Sequence, residues 1–279
     1  MKLFLRILAK IGLLQRINFH IKLKSNLVIP VTGGIGSINI LHDSEKWMSD
    51  LLMILFEWKS GTFIDVGVNL GQTLIKVKHV DRNKEYLGFD PNFKCINYVH
   101  QLTIANEFEG VALYPVAISS TSTFIGLNHQ SSDQTDSQAS IIEGFRKTTN
   151  AKLNAYSVAL DSLIGDLEKV GIIKIDVEGA ESLVIEGSKE LIARDRPIII
   201  CEVLPVYTST NYDRLERQNK MESFLKIIDY KVFRVLIDNK SCLQSFEEIQ
   251  EIGIHSDLHK CNYLFVPDEM SDQLLKWFR

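Results

Sequence analysis

The stretch KIDVEGAE (174–181) places four charged side chains directly after the apolar run VGII. They are Lys174, Asp176, Glu178 and Glu181. Charged groups are seldom buried unless they are paired or ligated, so we expect this cluster at a strand end, facing either water or a ligand. A carboxylate in that position can remove the proton of a reacting hydroxyl group.

A second stretch, FIDVGVNLGQT (63–73), has the pattern of a ligand-binding turn. An apolar strand ends at Asp65, Gly67 and Gly71 bracket a turn, and a helix is predicted to begin near Gln72 and Thr73. Glycine is needed where the backbone passes close to a ligand or takes a positive φ. A strand–helix turn without any ligand is the competing interpretation.

Asp90 comes at the end of the next predicted strand, in the sequence GFDPN. A carboxylate there can accept hydrogen bonds from both hydroxyls of a ribose, as the acidic residue does in dinucleotide folds. Pro91 ends the strand and fixes the turn, because proline has no N–H to donate to a sheet. Asp65 and Asp90 together therefore predict a cofactor that contains a nucleoside.

The pattern favours S-adenosylmethionine over NAD as that cofactor. A dinucleotide site requires G-x-G-x-x-G with a helix N-terminus against pyrophosphate, whereas this chain has D-x-G-x-N-x-G. An acid at the strand end would repel pyrophosphate but suits a cationic amino-acid moiety or a sulfonium centre. None of the eight tyrosines has a lysine four positions later, so the Tyr-x-x-x-Lys pair of short-chain reductases is missing.

Short apolar runs alternate with helical patterns from about residue 60 onwards. Strands are predicted at 62–67, 85–90, 112–119, 171–177 and 196–203, and helices at 72–80 and 181–195. Such an alternation indicates a parallel sheet covered on both faces, with ligands beyond the carboxyl ends of its strands. The strands 230–237 and 262–267 lack a crossover pattern and are expected to form an antiparallel edge. The polar stretch 128–140 is predicted to be a loop over the site, where His129 and Ser140 could meet substrate.

The composition is that of a globular protein without a nucleic-acid partner. The chain has 279 residues, of which 45% are hydrophobic and 24% are charged, and this suits one large domain. Its formal net charge of −4 does not provide the basic surface that binding to nucleic acid requires. The scattered cysteines form no C-x-x-C pair, which argues against a disulfide framework and favours a reducing cytoplasm.

Residues 1–17 (MKLFLRILAKIGLLQRI) are apolar and basic, without an acid. Two basic residues interrupt the apolar run, which is too short for a membrane span, and no small-residue cleavage site follows it. Read as a helix, the segment has an apolar stripe of Phe4, Leu8, Ile11 and Leu14. We expect this stripe to pack on the chain's own domain. Peripheral contact of residues 1–17 with the inner face of an anionic membrane is the alternative. Further along, Gly33, Gly34 and Gly36 are interpreted as turn glycines.

Over about residues 61–203 the chain resembles the FkbM-type methyltransferases. The motifs that carry the resemblance are FIDVGVNLGQT, YLGFDPN, YPVAIS, ALDSLI, IIKIDVEGAESLVIEGSKELI and RPIIICEV, in the family's order. The resemblance implies an α/β fold with a Rossmann-like, doubly wound, mainly parallel seven-stranded sheet, as in class I methyltransferases. Residues 61–279 would form this domain, and residues 1–60 a helical or irregular extension that caps part of the site. Val68 stands where the family usually has alanine, and its bulk is expected to narrow the pocket.

The resemblance also implies S-adenosylmethionine as cofactor and O-methylation of a hydroxyl on a saccharide or related small molecule, as in polysaccharide biosynthesis. Cofactor contacts are expected from Asp65, Gly67, Asn69, Gly71, Gln72, Thr73, Asp90, Pro91, Ala117 and Asp176. Glu178 is the first candidate for the general base, followed by Glu202 and Asp176. A purely structural explanation competes, because Glu178 and Glu181 would be stabilised at the start of a helix, with Lys174 as an ion-pair partner.

Several alternatives stay open at the level of sequence. Two of the carboxylates could hold a divalent cation that acidifies the hydroxyl. Zinc at His255, His259 and Cys261 is disfavoured because the H-E-x-x-H glutamate is missing, so no metal ligand is assigned. A NAD-linked reductase or epimerase is disfavoured by the missing tyrosine–lysine pair. A non-catalytic nucleotide-binding module docked on a membrane would use the same turn and residues 1–17.

Overall fold

The computed structural model describes residues 12–37, 45–128 and 152–276, together with residues 5, 7, 8 and 10. The strands are β1 (Asn18–Lys22), β2 (Val28–Thr32), β3 (Thr62–Val66), β4 (Tyr86–Phe89), β5 (Val111–Tyr114), β6 (Ala117–Ile118), β7 (Thr123–Asn128), β8 (Lys152–Val158), β9 (Val170–Ile175), β10 (Ile198–Glu202), β11 (Tyr230–Ile237), β12 (Leu243–Ile249) and β13 (Asn262–Pro267). The helices are α1 (Lys46–Trp58), α2 (Gln72–Val80), α3 (Phe93–Ala105), α4 (Glu181–Glu186), α5 (Lys189–Asp195), α6 (Tyr212–Ile227) and α7 (Asp268–Lys276).

The central sheet has eight strands in the order β12-β11-β13-β10-β9-β3-β4-β5. The five strands from β10 to β5 are parallel, whereas β13 is antiparallel to both β10 and β11. The predicted doubly wound, mainly parallel α/β fold is therefore confirmed, and so is its antiparallel edge. The sheet has one strand more than predicted, because β12 pairs with the outer side of β11. β1 and β2 form a separate hairpin, and β6, β8 and β7 form a small third sheet.

The strands separate two layers of buried apolar side chains, one on each face of the sheet. Phe63 and Ile172 belong to the layer covered by α1, whereas Ile64 and Ile173 belong to the layer on the opposite face. Because side chains alternate along a strand, every second residue from Phe63 and Ile172 points towards the α1 face. The strand-end residues at 65, 90, 174 and 202 consequently share that face.

Two predicted elements are interrupted in the structure. The predicted strand 112–119 ends at Tyr114, because Pro115 has no N–H to donate, and Val116 N donates back to Tyr114 O at 2.9 Å. The chain then pairs in the small sheet as β6. The predicted helix 181–195 is divided into α4 and α5 at Gly187, where a Cβ would stand 2.0 Å from Ser119 O.

The first segment packs on the chain's own domain. Leu8 and Leu14 of the predicted stripe are buried in a small apolar cluster with Ile29 and Val31 of the hairpin. Leu5, which was not assigned to the stripe, is buried in the same cluster, and residues 4 and 11 lie outside the described residues. The two glycines after β2 lie in the turn between Thr32 and Ile35, as predicted. None of the described helices is long and apolar enough to cross a membrane. The polar stretch 129–140, including His129 and Ser140, lies outside the described residues.

Candidate active site

The strands β3 and β9 bring Lys174 between two acids. Lys174 is the register partner of Asp65, and its Nζ lies 3.6 Å from Asp65 Oδ1 and 2.9 Å from Asp176 Oδ2. Burial by itself would lower the pKa of Lys174, but the charges of Asp176 and Asp65 outweigh burial and raise that pKa well above its ordinary value. Lys174 is therefore a permanent cation that links the ends of the two strands.

The side chain of Asp65 is completely buried. Its Oδ2 accepts a hydrogen bond from the hydroxyl of Tyr86, whereas its Oδ1 has no hydrogen-bond partner among the described residues. Burial raises the pKa of Asp65, and the nearby charge of Lys174 acts in the opposite direction. Sequence reasoning missed Tyr86, which lies two residues before Gly88, the register partner of Asp65. Gly88 has no side chain to separate the Tyr86 ring from Asp65.

The turn after β3 approaches the chain after β9 so closely that only glycine fits at position 67. Gly67 has a φ of +95°, and a Cβ on it would stand 2.0 Å from Asp176 O. Gly67 N donates to Phe89 O at 2.9 Å, and Asp176 N donates to Val66 O at 3.0 Å. Backbone hydrogen bonds therefore join the ends of β3, β4 and β9 into one rim.

Asp90 connects this turn to the start of α3. Its Oδ2 accepts a hydrogen bond from Asn69 N, and its Oδ1 accepts one from Asn92 N, both at 2.8 Å. Burial raises the pKa of Asp90 to about 6, although these two backbone bonds oppose the rise. The residue keeps 9% of its surface exposed, and each carboxylate oxygen can accept a second hydrogen bond. Asp90 is thus held in one orientation with capacity left for a ligand.

The remaining predicted cofactor residues lie near the same turn, with one in a different sheet. Gly71 occupies the N-cap of α2, where Gln72 is half-buried and Thr73 is buried. Pro91 is half-buried between β4 and α3. Ala117 is buried in β6. It therefore belongs to the small third sheet, and not to the central sheet as a continuous strand 112–119 would have required.

Val68 is almost fully buried in the layer on the α1 face. Its Cγ2 lies 2.7 Å from the position that a Cβ on Gly88 would occupy. The core therefore accommodates the methyl groups that valine has in addition to alanine, because they pack over Gly88, which has no side chain. This placement differs from the expectation that Val68 narrows a pocket.

Three glutamates surround the ends of β9 and β10. Glu178 is half-buried and has a φ of +52°, in a turn with Gly179. Glu181 begins α4, its Oε1 accepts a hydrogen bond from Gly179 N at 2.8 Å, and burial raises its pKa to about 7. Burial, and then the charge of Asp176, raise the pKa of Glu202 to about 8, while Lys174 opposes the rise.

Glu45 is an additional acid near this cluster. It lies at the N-terminus of α1 and forms an ion pair of 2.8 Å with Lys76. Its negative charge raises the pKa of both Lys174 and Glu202. Sequence reasoning missed Glu45, because no motif surrounds it and only tertiary packing brings α1 to this end of the sheet. Among the described residues around Lys174 the acids outnumber the basic groups, and such an excess of negative charge suits a cationic ligand.

No group of three or more histidine, cysteine, aspartate or glutamate side chains in the described ranges is arranged to hold a metal ion. His255, which was considered as a zinc ligand, has its Nε2 3.2 Å from the hydroxyl of Tyr263. Cys261 is buried, with its Sγ 3.7 Å from Asp257 O.

A model of the FkbM methyltransferase domain matches residues 65–233, which is more than half of the chain. The chain belongs to the FkbM methyltransferase family. The match covers the turn after β3, Asp90, the KIDVEGAE stretch and Glu202. The expected resemblance is thereby confirmed, and the assignment is to a methyltransferase and not to a reductase.

Solved structures of other methyltransferases share little sequence with this FkbM family member. A methyltransferase FkbM from Methylobacillus flagellatus KT is 15% identical with a TM-score of 0.46, and the alignment covers 74% of this chain and 43% of that protein. An O-methyltransferase from Bacillus cereus, solved in complex with SAH, is 12% identical with a TM-score of 0.44 and coverages of 81% and 83%. Comparison with curated proteins gave no significant match.

Proposed function

We propose that this FkbM family member is an S-adenosylmethionine-dependent O-methyltransferase that acts on a hydroxyl of a saccharide or a related small molecule. The observation that carries the proposal is the orientation of Asp90. Its two oxygens are fixed by Asn69 and Asn92, and it lies beside the glycine turn at the carboxyl end of the parallel sheet. That is where ligands bind in doubly wound folds, and a fixed carboxylate there suits a ribose diol.

The electrostatics of the rim support a cationic cofactor over a pyrophosphate. S-adenosylmethionine supplies an electrophilic methyl group on a positively charged sulfur and carries an ammonium group. Within the part of the chain that the structure describes, Asp176, Glu178 and Glu202 lie near the buried cation of Lys174. Acids in such excess would repel a pyrophosphate and attract an ammonium or sulfonium group.

Asp65 and Lys174 would act as positioning residues. Asp65 has no exposed surface, and its contacts are to Tyr86 and Lys174. Lys174 in turn holds Asp176 Oδ2 at 2.9 Å. We therefore assign Asp176, Gly67, Asn69 and Asp90 the direct cofactor contacts and give Asp65 the task of fixing the lysine that orients Asp176.

The acceptor hydroxyl needs a base, and the candidates are Glu178, Glu202 and Asp176. The pKa of Glu202 is raised to about 8, so this carboxyl exchanges its proton near neutral pH, as an efficient general base does. Glu178 lies in the strained turn beside it. Replacing each carboxylate with its own amide (Glu178→Gln, Glu202→Gln and Asp176→Asn) separates them. The variant that lacks the base should lose about 10²-fold or more in kcat together with one limb of the pH profile, whereas the other two variants should keep both.

The first experiment titrates the protein with S-adenosylmethionine and with NAD by calorimetry. We expect binding of S-adenosylmethionine alone, and at least about tenfold weaker binding in Asp90→Asn, because each charge-assisted bond is worth about 1.5–3 kcal/mol. Asp272→Asn is the matched control, since Asp272 is exposed on α7. Tight NAD binding without a response to S-adenosylmethionine would overturn the proposal.

The second experiment identifies the acceptor. Labelled methyl transfer is measured with a panel of free sugars, nucleotide sugars and lipid-linked saccharides, followed by mass spectrometry of the products. Transfer to a saccharide hydroxyl supports the proposal. We propose in addition that the reaction serves polysaccharide biosynthesis in the cytoplasm. Transfer to nitrogen or carbon atoms only would contradict it.

A further inference from the structure

We propose that the N-terminal segment forms a surface that docks on an anionic membrane, through exposed basic side chains together with two exposed apolar ones. The segment is the described part of residues 5–37 and includes the hairpin of β1 and β2. The apolar stripe predicted from the sequence is not part of this surface, because Leu8 and Leu14 are buried against the hairpin. The surface is formed instead by the exposed side chains of the same segment. The inference goes beyond the proposed methyl transfer and does not depend on it.

The charge of the chain is divided unevenly along its sequence. The first 42 residues contain six lysine and arginine residues and no aspartate or glutamate, which gives a formal charge of +6. The remaining 237 residues contain 25 basic and 35 acidic residues, a formal charge of −10. A negatively charged surface attracts the first part and repels the second. The chain would therefore approach an anionic bilayer with its N-terminal segment foremost.

Two large apolar side chains of the segment are exposed next to basic ones. Ile7 is 48% exposed and Leu13 is 40% exposed. Ile7 and Lys10 are helical and three positions apart, so they are neighbours on the exposed face of that helix. Leu13 stands three positions before the exposed Arg16, whose N–H donates to Leu13 O at 3.0 Å. Apolar side chains among basic ones are typical of segments that lie in a membrane interface.

The hairpin extends the basic surface. Burial alternates along β1, so that His20 and Lys22 are exposed whereas Phe19 and Ile21 pack against the apolar cluster. Lys24 is exposed in the turn that follows β1. The charges on the hairpin therefore point away from the core and are available to negatively charged headgroups.

The hairpin is fastened to the domain, so its charges are not carried on a loose tail. Val28 N donates to Asn106 Oδ1, and Asn106 Nδ2 donates to Val28 O, both at 2.7 Å. A groove beside this junction is lined by His79 and Arg82 together with the acid Glu107. The positive charge of Arg82 offsets that acid, so the groove does not interrupt the basic surface with a net negative charge.

A bilayer fits this surface better than a nucleic acid does. Basic side chains suit the phosphates of both partners. The exposed side chains of Ile7 and Leu13 gain free energy in the boundary between headgroups and acyl chains, and they have no counterpart in a phosphate backbone. The combination of charge and apolar surface therefore favours the membrane.

The test is flotation of the full-length protein with vesicles of phosphatidylcholine alone and with vesicles that also contain phosphatidylglycerol. We expect at least about tenfold tighter partitioning into the anionic vesicles, because each basic residue near such a surface contributes about fivefold. Raising the salt concentration to about 0.5 M should release most of the protein. Equal partitioning into both vesicles, or none into the anionic ones, would overturn the proposal. Equally tight binding of a single-stranded RNA, per phosphate, would assign the surface to nucleic acid and overturn it as well.

A double substitution tests the apolar contribution. Ile7→Gln combined with Leu13→Gln should weaken partitioning at least about fivefold, because the two side chains no longer enter the interface. Ile227→Gln is the matched control, since Ile227 is 78% exposed at the end of α6, and should leave partitioning unchanged.

A second double substitution tests the charge. Lys10→Gln combined with Arg16→Gln should weaken partitioning at least about tenfold. Lys226→Gln combined with Lys240→Gln removes the same charge at exposed positions elsewhere and should have little effect. Thermal denaturation checks that all variants are folded, and the result stands whether or not the protein binds S-adenosylmethionine. Undiminished partitioning of either N-terminal double variant would disprove the assignment.

Discussion

Asp65 and Lys174 stand directly opposite each other on adjacent parallel strands, with 3.6 Å between Asp65 Oδ1 and Lys174 Nζ. Both side chains are buried, and the same lysine contacts Asp176 at 2.9 Å. The arrangement explains why an apolar strand carries a lysine near its end. Lys174 neutralises acids that would otherwise repel each other across the rim, and it fixes the direction of Asp176.

Removing the lysine should therefore destabilise the fold. We expect Lys174→Met to lower the free energy of unfolding by about 3 kcal/mol or more, because it leaves Asp65 buried without a counter-charge. Urea denaturation at pH 7.5 measures the change. Lys220→Met is the matched control, since Lys220 is exposed on α6, and should change stability little. Adding Asp65→Asn to Lys174→Met should recover part of the loss, and an unaltered stability of Lys174→Met would contradict the assignment.

The close approach at Gly67 can be tested by substitution, because Gly253 also has a positive φ and serves as a control. Gly67 and Gly253 both have positive φ, +95° and +74°, but only at Gly67 would a Cβ meet another atom, Asp176 O at 2.0 Å. Gly253→Ala should cost about 1–2 kcal/mol from backbone strain alone. Gly67→Ala should cost more and should also reduce the affinity for S-adenosylmethionine. Thermal denaturation and calorimetry test both points, and equal effects of the two substitutions would refute the close-approach argument.

The sequence was sufficient to place the acids of the rim on one edge of the sheet. Asp65, Asp90 and Glu202 each follow a short apolar run, and parallel strands bring such positions together. The limits of β11 and β13 also agree with the predicted strands 230–237 and 262–267. These features depend on local patterns of two to eight residues, which a single sequence displays directly.

The contacts that tune the site were not predictable in the same way. Tyr86 reaches Asp65 because of the register between β3 and β4, and Glu45 reaches the rim because α1 packs over one face of the sheet. Arg217 and Gln218 line a cavity together with Glu181 only because α6 packs against α4. Each of these relationships joins residues that are distant in the chain, so no local periodicity encodes it.

The raised pKa of Glu202 predicts how stability depends on pH. Its ordinary pKa is 4.5, and burial raises it to about 8 in the folded protein. Between these two values the folded state holds a proton that the unfolded chain has lost, so stability should fall as the pH rises through this range. Glu202→Gln removes that contribution, and melting temperatures from pH 5 to pH 8.5 should fall less steeply for it than for the wild type. A steeper fall in the variant would be inconsistent with a protonated Glu202.

Binding of S-adenosylmethionine should release protons. A cation placed beside Asp176, Glu178 and Glu202 favours their charged forms, so the pKa of Glu202 should fall from about 8 when the cofactor binds. At pH 7.5 the released proton enters the buffer, and the apparent binding enthalpy then depends on the ionisation enthalpy of that buffer. Calorimetry in phosphate and in Tris should give a slope that corresponds to proton release in the wild type and is smaller in Glu202→Gln. Proton uptake, or equal slopes in the two proteins, would show that the cofactor's positive charge does not lie near Glu202.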